Sequence, residues 1–160
     1  TTHERVRELE KEFMKSYTRL ARKEDQSLRA TIDHKTFDVE LVDENNKAIN
    51  KNELSAGEKQ IYAIAVLEAL AKTSGRSLPV IIDTPLGRLD SKHREKLREH
   101  YFPYASQQVI ILSTDTEVDE DFYGKLEKFI SHAYRLEYDL TRKSTSVNKG
   151  YFWRKGEVAA

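Results

Sequence analysis

The residues best suited to chemistry lie in the stretch VIIDTPLGRLDS, from Val80 to Ser91. The apolar letters predict a short buried strand, which delivers Asp83 to a loop that also carries Asp90. A carboxylate at a strand end can bind Mg²⁺, directly or through water, beside a chain of phosphates. A plainer interpretation is also open, because Asp-Thr-Pro favours a turn and Asp90 can cap the helix that follows. Both aspartates are therefore candidates for metal or nucleotide chemistry.

A second candidate lies upstream, in Ser55-Ala56-Gly57-Glu58 at the start of a strong helical pattern. Ser-x-x-Glu is the sequence of a capping box, in which the Ser55 hydroxyl and the Glu58 carboxylate satisfy free amides of the first turn. A capping box does not explain Gly57, because glycine in a first turn is costly unless something approaches the backbone closely. A serine hydroxyl with bare amides at a helix N-terminus also suits a phosphate. The motif therefore predicts a cap, an anion site, or both.

A second apolar strand, in QVIILSTDTEV, repeats the design and ends near Asp115 and Glu117. Strands alternating with helices predict a parallel α/β unit with right-handed crossovers, whose ligands lie off the carboxyl ends of the strands. Asp83 and Asp115 are then expected to be neighbours. With Glu117 they could bind one or two Mg²⁺ ions for a phosphodiesterase or DNA-nicking reaction. That alternative leaves Ser55 without a role and requires a further upstream glutamate that the sequence does not place.

The elements that must position these residues follow from hydrophobic periodicity. Residues 1–30 predict a highly charged helix with one narrow apolar seam, which suits either the end of a coiled coil or an ordinary surface helix. A strand from Phe37 to Leu41 leads into a turn and a hairpin. The helix from Leu54 to Gly75 is apolar nearly all round and should be buried. A polar helix between the two apolar strands, an amphipathic helix with an acidic start and a terminal hairpin complete the pattern.

Composition limits the class of protein. A chain of 160 residues, with 38% hydrophobic and 34% charged residues, suits one globular domain. Lys+Arg and Asp+Glu both number 27, so no global field draws the chain to nucleic acid or to a membrane. The lack of cysteine excludes disulfides and thiol chemistry, and the longest apolar run is too short to cross a bilayer. We expect a cytoplasmic protein.

Three other groups of residues are weaker candidates. The histidines show no metal-ligand spacing and are read as surface or packing residues: His3, His34, His93, His100 and His132. Arg88, Lys92 and Arg94 could meet a phosphate or a DNA backbone, although basic helix faces are usually only solvated. The aromatic residues 151–153 could stack on a base, although a hydrophobic lid under the terminal hairpin is the simpler interpretation.

Taken in order, these motifs resemble those of ABC-type ATPases. LSAGEKQ resembles the signature motif, VIIDTP the Walker B strand, GRLD the D-loop and VIILSTD the switch strand. A preceding coiled-coil helix is typical of the structural-maintenance-of-chromosomes (SMC) branch, whose heads are split by a long coiled coil. Within that branch, IDTPLGRLDSKHREKL, ILSTDTEVD and a terminal GYFW are most similar to the DndD family, the ATPases of bacterial DNA phosphorothioation (sulfur modification). The resemblance extends from about Thr31 to Trp153.

The resemblance implies the C-terminal lobe of an ATPase head, with residues 1–30 as the end of a coiled-coil helix and residues 31–160 as the lobe. It implies a central, mostly parallel sheet that is flanked by helices and closed by a β-hairpin. In such proteins the P-loop belongs to an N-terminal lobe, and no glycine here has the Gly-x4-Gly-Lys-Ser/Thr context. The chain is therefore expected to be a piece of a longer ATPase and to be inactive alone.

The resemblance also implies cofactors, partners and roles. ATP and Mg²⁺ are the implied cofactors, and Asp83 would hold Mg²⁺ through water. The motif at residues 55–58 would reach the γ-phosphate of ATP held by a second copy of the head, and Asp90 would link the two sites across the dimer. The implied partners are the chain's own N-terminal lobe, a second head, DNA and other phosphorothioation proteins.

Two positions depart from the family pattern. Thr84 occupies the place of the Walker B glutamate that polarises the attacking water, and a threonine cannot act as a general base near neutral pH. Thr114 occupies the place of the switch histidine, and its hydroxyl can still bond a γ-phosphate but carries no charge. Either catalysis is slow and serves as a switch, or Asp115 or Glu117 substitutes. A third hypothesis is a dimerisation module that no longer hydrolyses ATP.

Overall fold

The computed structural model of the chain describes residues 2–21 and 28–153. Its helices are α1 (Thr2–Leu20), α2 (Ala56–Thr73), α3 (Ser91–His100) and α4 (Glu120–Leu126). Its strands are β1 (Arg29–Ile32), β2 (Val39–Val42), β3 (Ala48–Ile49), β4 (Val80–Asp83), β5 (Val109–Leu112), β6 (Tyr134–Asp139) and β7 (Ser144–Lys149). The chain divides into two compact units, Thr1–Leu112 and Ser113–Ala160.

The α/β class predicted from the sequence is confirmed, but the described strands form three small sheets instead of one. β1, β2 and β3 form an antiparallel sheet, and β6 and β7 form an antiparallel hairpin. β4 and β5 form a parallel pair, in which Ile81 lies opposite Ile110 and Asp83 lies opposite Leu112. This pair is the part of the predicted parallel sheet on which the first unit's candidate site depends.

The parallel pair is covered on one face only, whereas its apolar runs predicted burial on both faces. Ile81 is 63% exposed, and Ile110 and Leu112 are 38% and 46% exposed. The alternate side chains of both strands are half-buried. Parallel strands usually have a layer on each face, and in the described part of the chain nothing covers the outer one. The prediction that both strands are buried is therefore wrong for this chain.

Helix α1 is shorter than the helix predicted over residues 1–30. It ends at Leu20, and Arg29 already belongs to β1. Ile32 helps to hold this segment as a strand against α1. Its side chain is buried, and its amide donates to the Glu10 carboxylate of α1 at 2.6 Å. The chain therefore runs back along α1 as a strand.

The apolar seam of α1 is filled from within the chain. Val6, Phe13, Tyr17 and Leu20 are buried, and the Phe13 ring meets the Tyr62 ring of α2 edge-on at 5.5 Å. This contact accounts for the seam as that of an ordinary amphipathic helix. The division at residue 30 between a coiled coil and a lobe stays a prediction.

Helix α2 confirms the helix predicted from Leu54 to Gly75, and its helical residues are Ala56–Thr73. Ser55 caps its start, and Gly75 follows its end at a φ of 65°, which glycine adopts without strain. Its buried face consists of Ile61, Ile64, Ala65, Glu68 and Ala69. Leu67 and Leu70 are 58% and 47% exposed, so the expectation of burial all round is wrong. No helix in the described ranges is long and apolar enough to cross a membrane.

The first hairpin begins later than predicted. Strand β2 starts at Val39, while Phe37, which we expected in the strand, has a φ of 59° and is 57% exposed. The Asp33 carboxylate causes this turn, because it accepts from the amides of Lys35 and Thr36 at 2.7 and 2.8 Å. The turn predicted between β2 and β3 is confirmed.

The second unit contains α4 and the terminal hairpin, and both were predicted. Asp119 caps α4 by accepting from the Phe122 amide at 2.8 Å. In the hairpin, the alternating residues Tyr134, Leu136 and Tyr138 lie on one face and are 51%, 64% and 61% exposed.

Candidate functional site

Asp83 ends β4 on the open face of the parallel pair. Its side chain is exposed and has no hydrogen bond or ion pair with any residue that the structure describes. Because side chains alternate along a strand, Asp83 lies on the same face as Ile81 and opposite Leu112. A carboxylate at the rim of an apolar surface, with its oxygens free, fits Mg²⁺, which binds one or two carboxylates and completes its shell with phosphate and water.

Thr84 follows Asp83 in a backbone conformation that few threonines adopt. Its φ is 45°, in the left-handed region that is unfavourable for a β-branched residue. Its amide donates to the Leu112 carbonyl at 2.8 Å, which extends the strand pairing beyond Asp83. The position of the expected general base therefore carries an exposed hydroxyl on a strained backbone.

The helix start at Ser55 is a capping box, as the sequence predicts. The Glu58 amide donates to the Ser55 hydroxyl at 3.2 Å, and the Ser55 amide donates to the Glu58 carboxylate at 2.6 Å. The amides of Ala56 and Gly57 have no partner among the described residues. An anion would meet these two amides and the Ser55 proton, while the nearby Glu58 carboxylate would weaken its binding. The anion site stays a prediction.

Gly57 is explained by a contact inside the chain. A Cβ at this position would lie 3.0 Å from the carbonyl oxygen of Arg88 and 3.5 Å from the Leu89 side chain. The close approach anticipated from the sequence is present, but the approaching group is the loop of residues 84–90, where we had expected a phosphate.

Gln60 makes a second contact between α2 and the same loop. Its side-chain amide donates to the carbonyl of Thr84 at 3.2 Å and to the carbonyl of Pro85. The start of α2 and the loop after β4 therefore form one contiguous surface, which brings together the predicted residues 55–58, Asp83 and Thr84. Sequence reasoning missed Gln60, because nothing local marks a glutamine as the partner of a distant loop.

Asp90 caps α3, as its plainer interpretation predicts. Its carboxylate accepts from the His93 amide at 2.9 Å and lies 3.0 Å from His93 Nδ1. His93 is 3% exposed, and its Nε2 has no partner in the described part of the chain. The Asp90 side chain remains 39% exposed, so it is accessible to a second molecule. The sequence indicated a surface or packing role for His93, and the Asp-x-x-His spacing at a helix start was the signal for this pairing.

In the second unit, Thr114 organises the loop of residues 113–118. Its hydroxyl accepts from the Glu117 amide at 3.2 Å and lies 3.1 Å from the Thr116 hydroxyl. When Thr116 is the donor of that pair, the proton of Thr114 is left for an anion. Of the two carboxylates suggested as substitutes for the missing base, Asp115 is exposed and Glu117 is 6% exposed. Only the former is at the surface.

The aromatic residues after β7 cover this loop. The Tyr151 hydroxyl donates to the Thr114 carbonyl at 2.9 Å, and the Trp153 indole donates to the Val118 carbonyl at 3.0 Å. The Tyr151 ring stacks on Tyr123 at 4.9 Å. Burial raises the pKa of the Tyr151 hydroxyl, which keeps its proton in place. These bonds favour the lid interpretation over stacking on a base.

Among the residues that the structure describes, no group of three or more His, Asp or Glu is placed to hold a metal ion. The phosphodiesterase alternative needs such a group from Asp83, Asp115 and Glu117, and the last of these is buried. A metal at Asp83 would instead be completed by oxygens that come with its ligand.

Glu68 is a buried charge that the sequence shows only as a break in an apolar run. It is 5% exposed and lies on α2. Its carboxylate accepts from Arg19 at 2.6 Å, from Lys72 at 2.9 Å and from the Ser16 hydroxyl. Burial alone would raise the pKa of Glu68, but the bonds from Arg19, Ser16 and Lys72 outweigh it and lower the pKa. This cluster joins α1 to the helix that begins with the candidate anion site.

Solved structures match this fold, although no protein-family profile and no curated protein matches the sequence. A chain from work on ATP-driven dimerisation and DNA-stimulated activation of SMC ATPases has a TM-score of 0.63 at 12% identity, over 94% of this chain and 90% of its own. The SMC head domain from Thermotoga maritima has a TM-score of 0.56 at 11% identity. An Smc head domain with a coiled coil and joint from Pyrococcus yayanosii has a TM-score of 0.63 at 14% identity.

These similarities define the fold. The chain has the fold of the C-terminal lobe of an SMC-type ATPase head, at identities too low to carry function with them. It covers 90% of the first matched chain but 48% of the Thermotoga head and 27% of the Pyrococcus head. Most of the latter two chains therefore has no counterpart in these 160 residues.

Proposed function

We propose that this chain is the C-terminal half of an ABC-type ATPase head, which binds and hydrolyses ATP when two heads associate. One observation carries the proposal. The capped start of α2 at residues 55–58 and the loop that bears Asp83 and Asp90 are in direct contact through Gly57 and Gln60. This contact occurs within a fold that matches SMC heads.

In this proposal the ligand is shared between heads. Asp83 holds Mg²⁺ beside the phosphates of an ATP bound to the P-loop lobe of its own head. The Ser55 hydroxyl and the amides of Ala56 and Gly57 meet the γ-phosphate of ATP bound to the other head. Asp90 lies at the interface between the two sites. Thr84 and Thr114 carry no base and no positive charge, so we expect slow turnover that serves as a switch.

The more specific part of the proposal concerns the DndD family. The motifs IDTPLGRLDSKHREKL and ILSTDTEVD support a role in bacterial DNA sulfur modification, in the cytoplasm. The partners would be the P-loop lobe, a second head, DNA and the other phosphorothioation proteins. The balance of 27 basic and 27 acidic residues favours a DNA contact that is local or lies on another part of the protein.

The test is steady-state ATP hydrolysis by a protein that carries this chain together with a P-loop lobe. Ser55→Arg places a large cation at the helix start and should reduce kcat at least tenfold, while wild-type turnover should rise more than linearly with protein concentration. Ser55→Asp keeps the helix cap but repels a phosphate, and should show the same loss. Ser144→Arg, on exposed β7, is the matched control.

If Ser55→Arg and Ser55→Asp keep full activity, Ser55 does not bind the γ-phosphate and its role is only to cap α2. ATP binding without hydrolysis in the wild type would instead favour the dimerisation module, which the hydroxyl at Thr84 already suggests. DNA cleavage by this chain alone with Mg²⁺ would favour the phosphodiesterase.

A further inference from the structure

The backbone at Thr84 stores strain. A β-branched residue at a φ of 45° is unfavourable by itself and persists only where its surroundings hold it. The residue directly follows Asp83, so its conformation sets the direction in which the chain leaves β4. A relaxed Thr84 would send the loop of residues 84–90 along a different path.

Two sets of bonds hold Thr84 in this conformation. Its amide donates to the Leu112 carbonyl of β5 at 2.8 Å, on the strand side. Its carbonyl accepts from the Gln60 side chain at 3.2 Å, and the next carbonyl, that of Pro85, accepts from the same nitrogen. Gln60 is therefore the side chain that fixes the peptides on the loop side of the strained residue.

The far end of the loop also rests on α2. The Arg88 carbonyl lies against Gly57, where even a Cβ would come within 3.0 Å of its oxygen. Gly57 and Gln60 are three residues apart and therefore lie on one side of the helix. The loop thus contacts α2 at its beginning through Gln60 and near its end through Gly57.

We propose that Gln60 is a positioning residue, which holds the 84–90 loop in its strained conformation and ties the placement of Asp83 and Asp90 to the start of α2. A shift of the helix start relative to β4 would break the bonds of Gln60 and allow Thr84 to relax. A ligand that binds residues 55–58 and shifts the helix start would thereby change the position of Asp83 in the same chain. The use of this link in ATP turnover rests on the proposed function, but the link itself does not.

Hydrogen–deuterium exchange on this chain without nucleotide tests the link. Gln60→Glu keeps the shape of the side chain but has no N–H donor at neutral pH, and it places a negative charge against two carbonyls. Exchange across residues 84–90, including the Thr84 and Leu89 amides, should become about tenfold faster. Gln107→Glu makes the same chemical change at an exposed position beside the opposite end of β5, and should leave this loop unchanged.

A second substitution separates positioning from general loosening. Thr84→Gly removes the penalty of the left-handed conformation, so adding it to Gln60→Glu should restore most of the lost protection, by roughly fivefold. Unchanged exchange in Gln60→Glu would overturn the proposal, as would a double variant that exchanges as fast as Gln60→Glu alone. Because no ATP is present, either failure is distinct from a failure of the Ser55 experiment.

Discussion

At the scale of single residues, Gly57 has two explanations with opposite consequences. If a ligand needs its bare backbone, alanine should be harmless or helpful in the ligand-free protein, because glycine is a poor helix former. If the Arg88 carbonyl needs that space, alanine should disturb the ligand-free fold, because its Cβ would lie 3.0 Å from a backbone oxygen.

We predict that Gly57→Ala lowers the free energy of unfolding by about 1–2 kcal/mol, as an overpacked contact does. Gly124→Ala is the control, since α4 offers its Cβ open space, and it should raise the free energy by about 0.5–1 kcal/mol. Urea titrations followed by far-UV circular dichroism give both values. If both substitutions stabilise the chain equally, the Arg88 carbonyl does not require the glycine, and close approach of a ligand becomes the better explanation of Gly57.

The sequence predicts residues well where the contact is local. The Ser55–Glu58 cap and the Asp90 cap depend on neighbours three positions away, and both are confirmed. The contacts of Gln60 with the Thr84 loop join separate elements and leave no local pattern. These contacts can be identified only once the three-dimensional structure is known.

At the scale of elements, the Glu68 cluster connects α1 to α2. The carboxylate is faced by Ser16 and Arg19 from α1 and by Lys72 from its own helix. Tyr101, after α3, lies in the same region, where burial raises its pKa to about 12. The lowered pKa keeps Glu68 charged at neutral pH, so its bonds to Arg19, Lys72 and Ser16 add to the apolar contact between the two helices.

We predict that Glu68→Gln lowers the free energy of unfolding by about 2 kcal/mol at pH 7, because hydrogen bonds to charged partners are lost. The pKa of Glu68 is lower in the folded chain than its ordinary value of 4.5. The stabilisation is therefore complete above pH 4.5 and is lost as pH falls through the lowered pKa. The gap between wild type and Glu68→Gln should shrink as pH drops from 6 toward 3.

Urea titrations at several pH values measure that gap. Glu44→Gln, on the exposed turn between β2 and β3, serves as the control and should track wild type at every pH. A gap that stays constant with pH would mean that the lost bonds act through shape and not through charge.

Elements were predictable where capping and periodicity agreed. The starts of α2 and α3 follow from the predicted caps Ser55 and Asp90, and the acidic start predicted for α4 contains its cap, Asp119. Phe37 was wrongly placed in a strand, because the Asp33 turn competes with the alternating pattern. The sequence did not predict β1, because its four residues show no strand pattern by themselves and become a strand by pairing with β2.

At the scale of the whole molecule, the open face of β4 and β5 is an apolar surface that stays exposed. Ile81, Ile110 and Leu112 lie there beside the free carboxylate of Asp83. A layer that covers the apolar part would end at the carboxylate. Under the proposed function that layer belongs to the P-loop lobe, so the packing that completes the sheet would also bring the phosphates to Asp83.

Two adjacent isoleucines on opposite faces of β4 test this argument. Ile82→Thr, on the covered face, should lower the free energy of unfolding of this chain by about 1–2 kcal/mol, while Ile81→Thr, at 63% exposure, should change it by less than about 0.5 kcal/mol. In assembly with a separately produced P-loop lobe, measured by calorimetry, Ile81→Thr should weaken binding about tenfold. Wild-type affinity in Ile81→Thr would mean that the P-loop lobe packs elsewhere, and Asp83 would then need another source of phosphate.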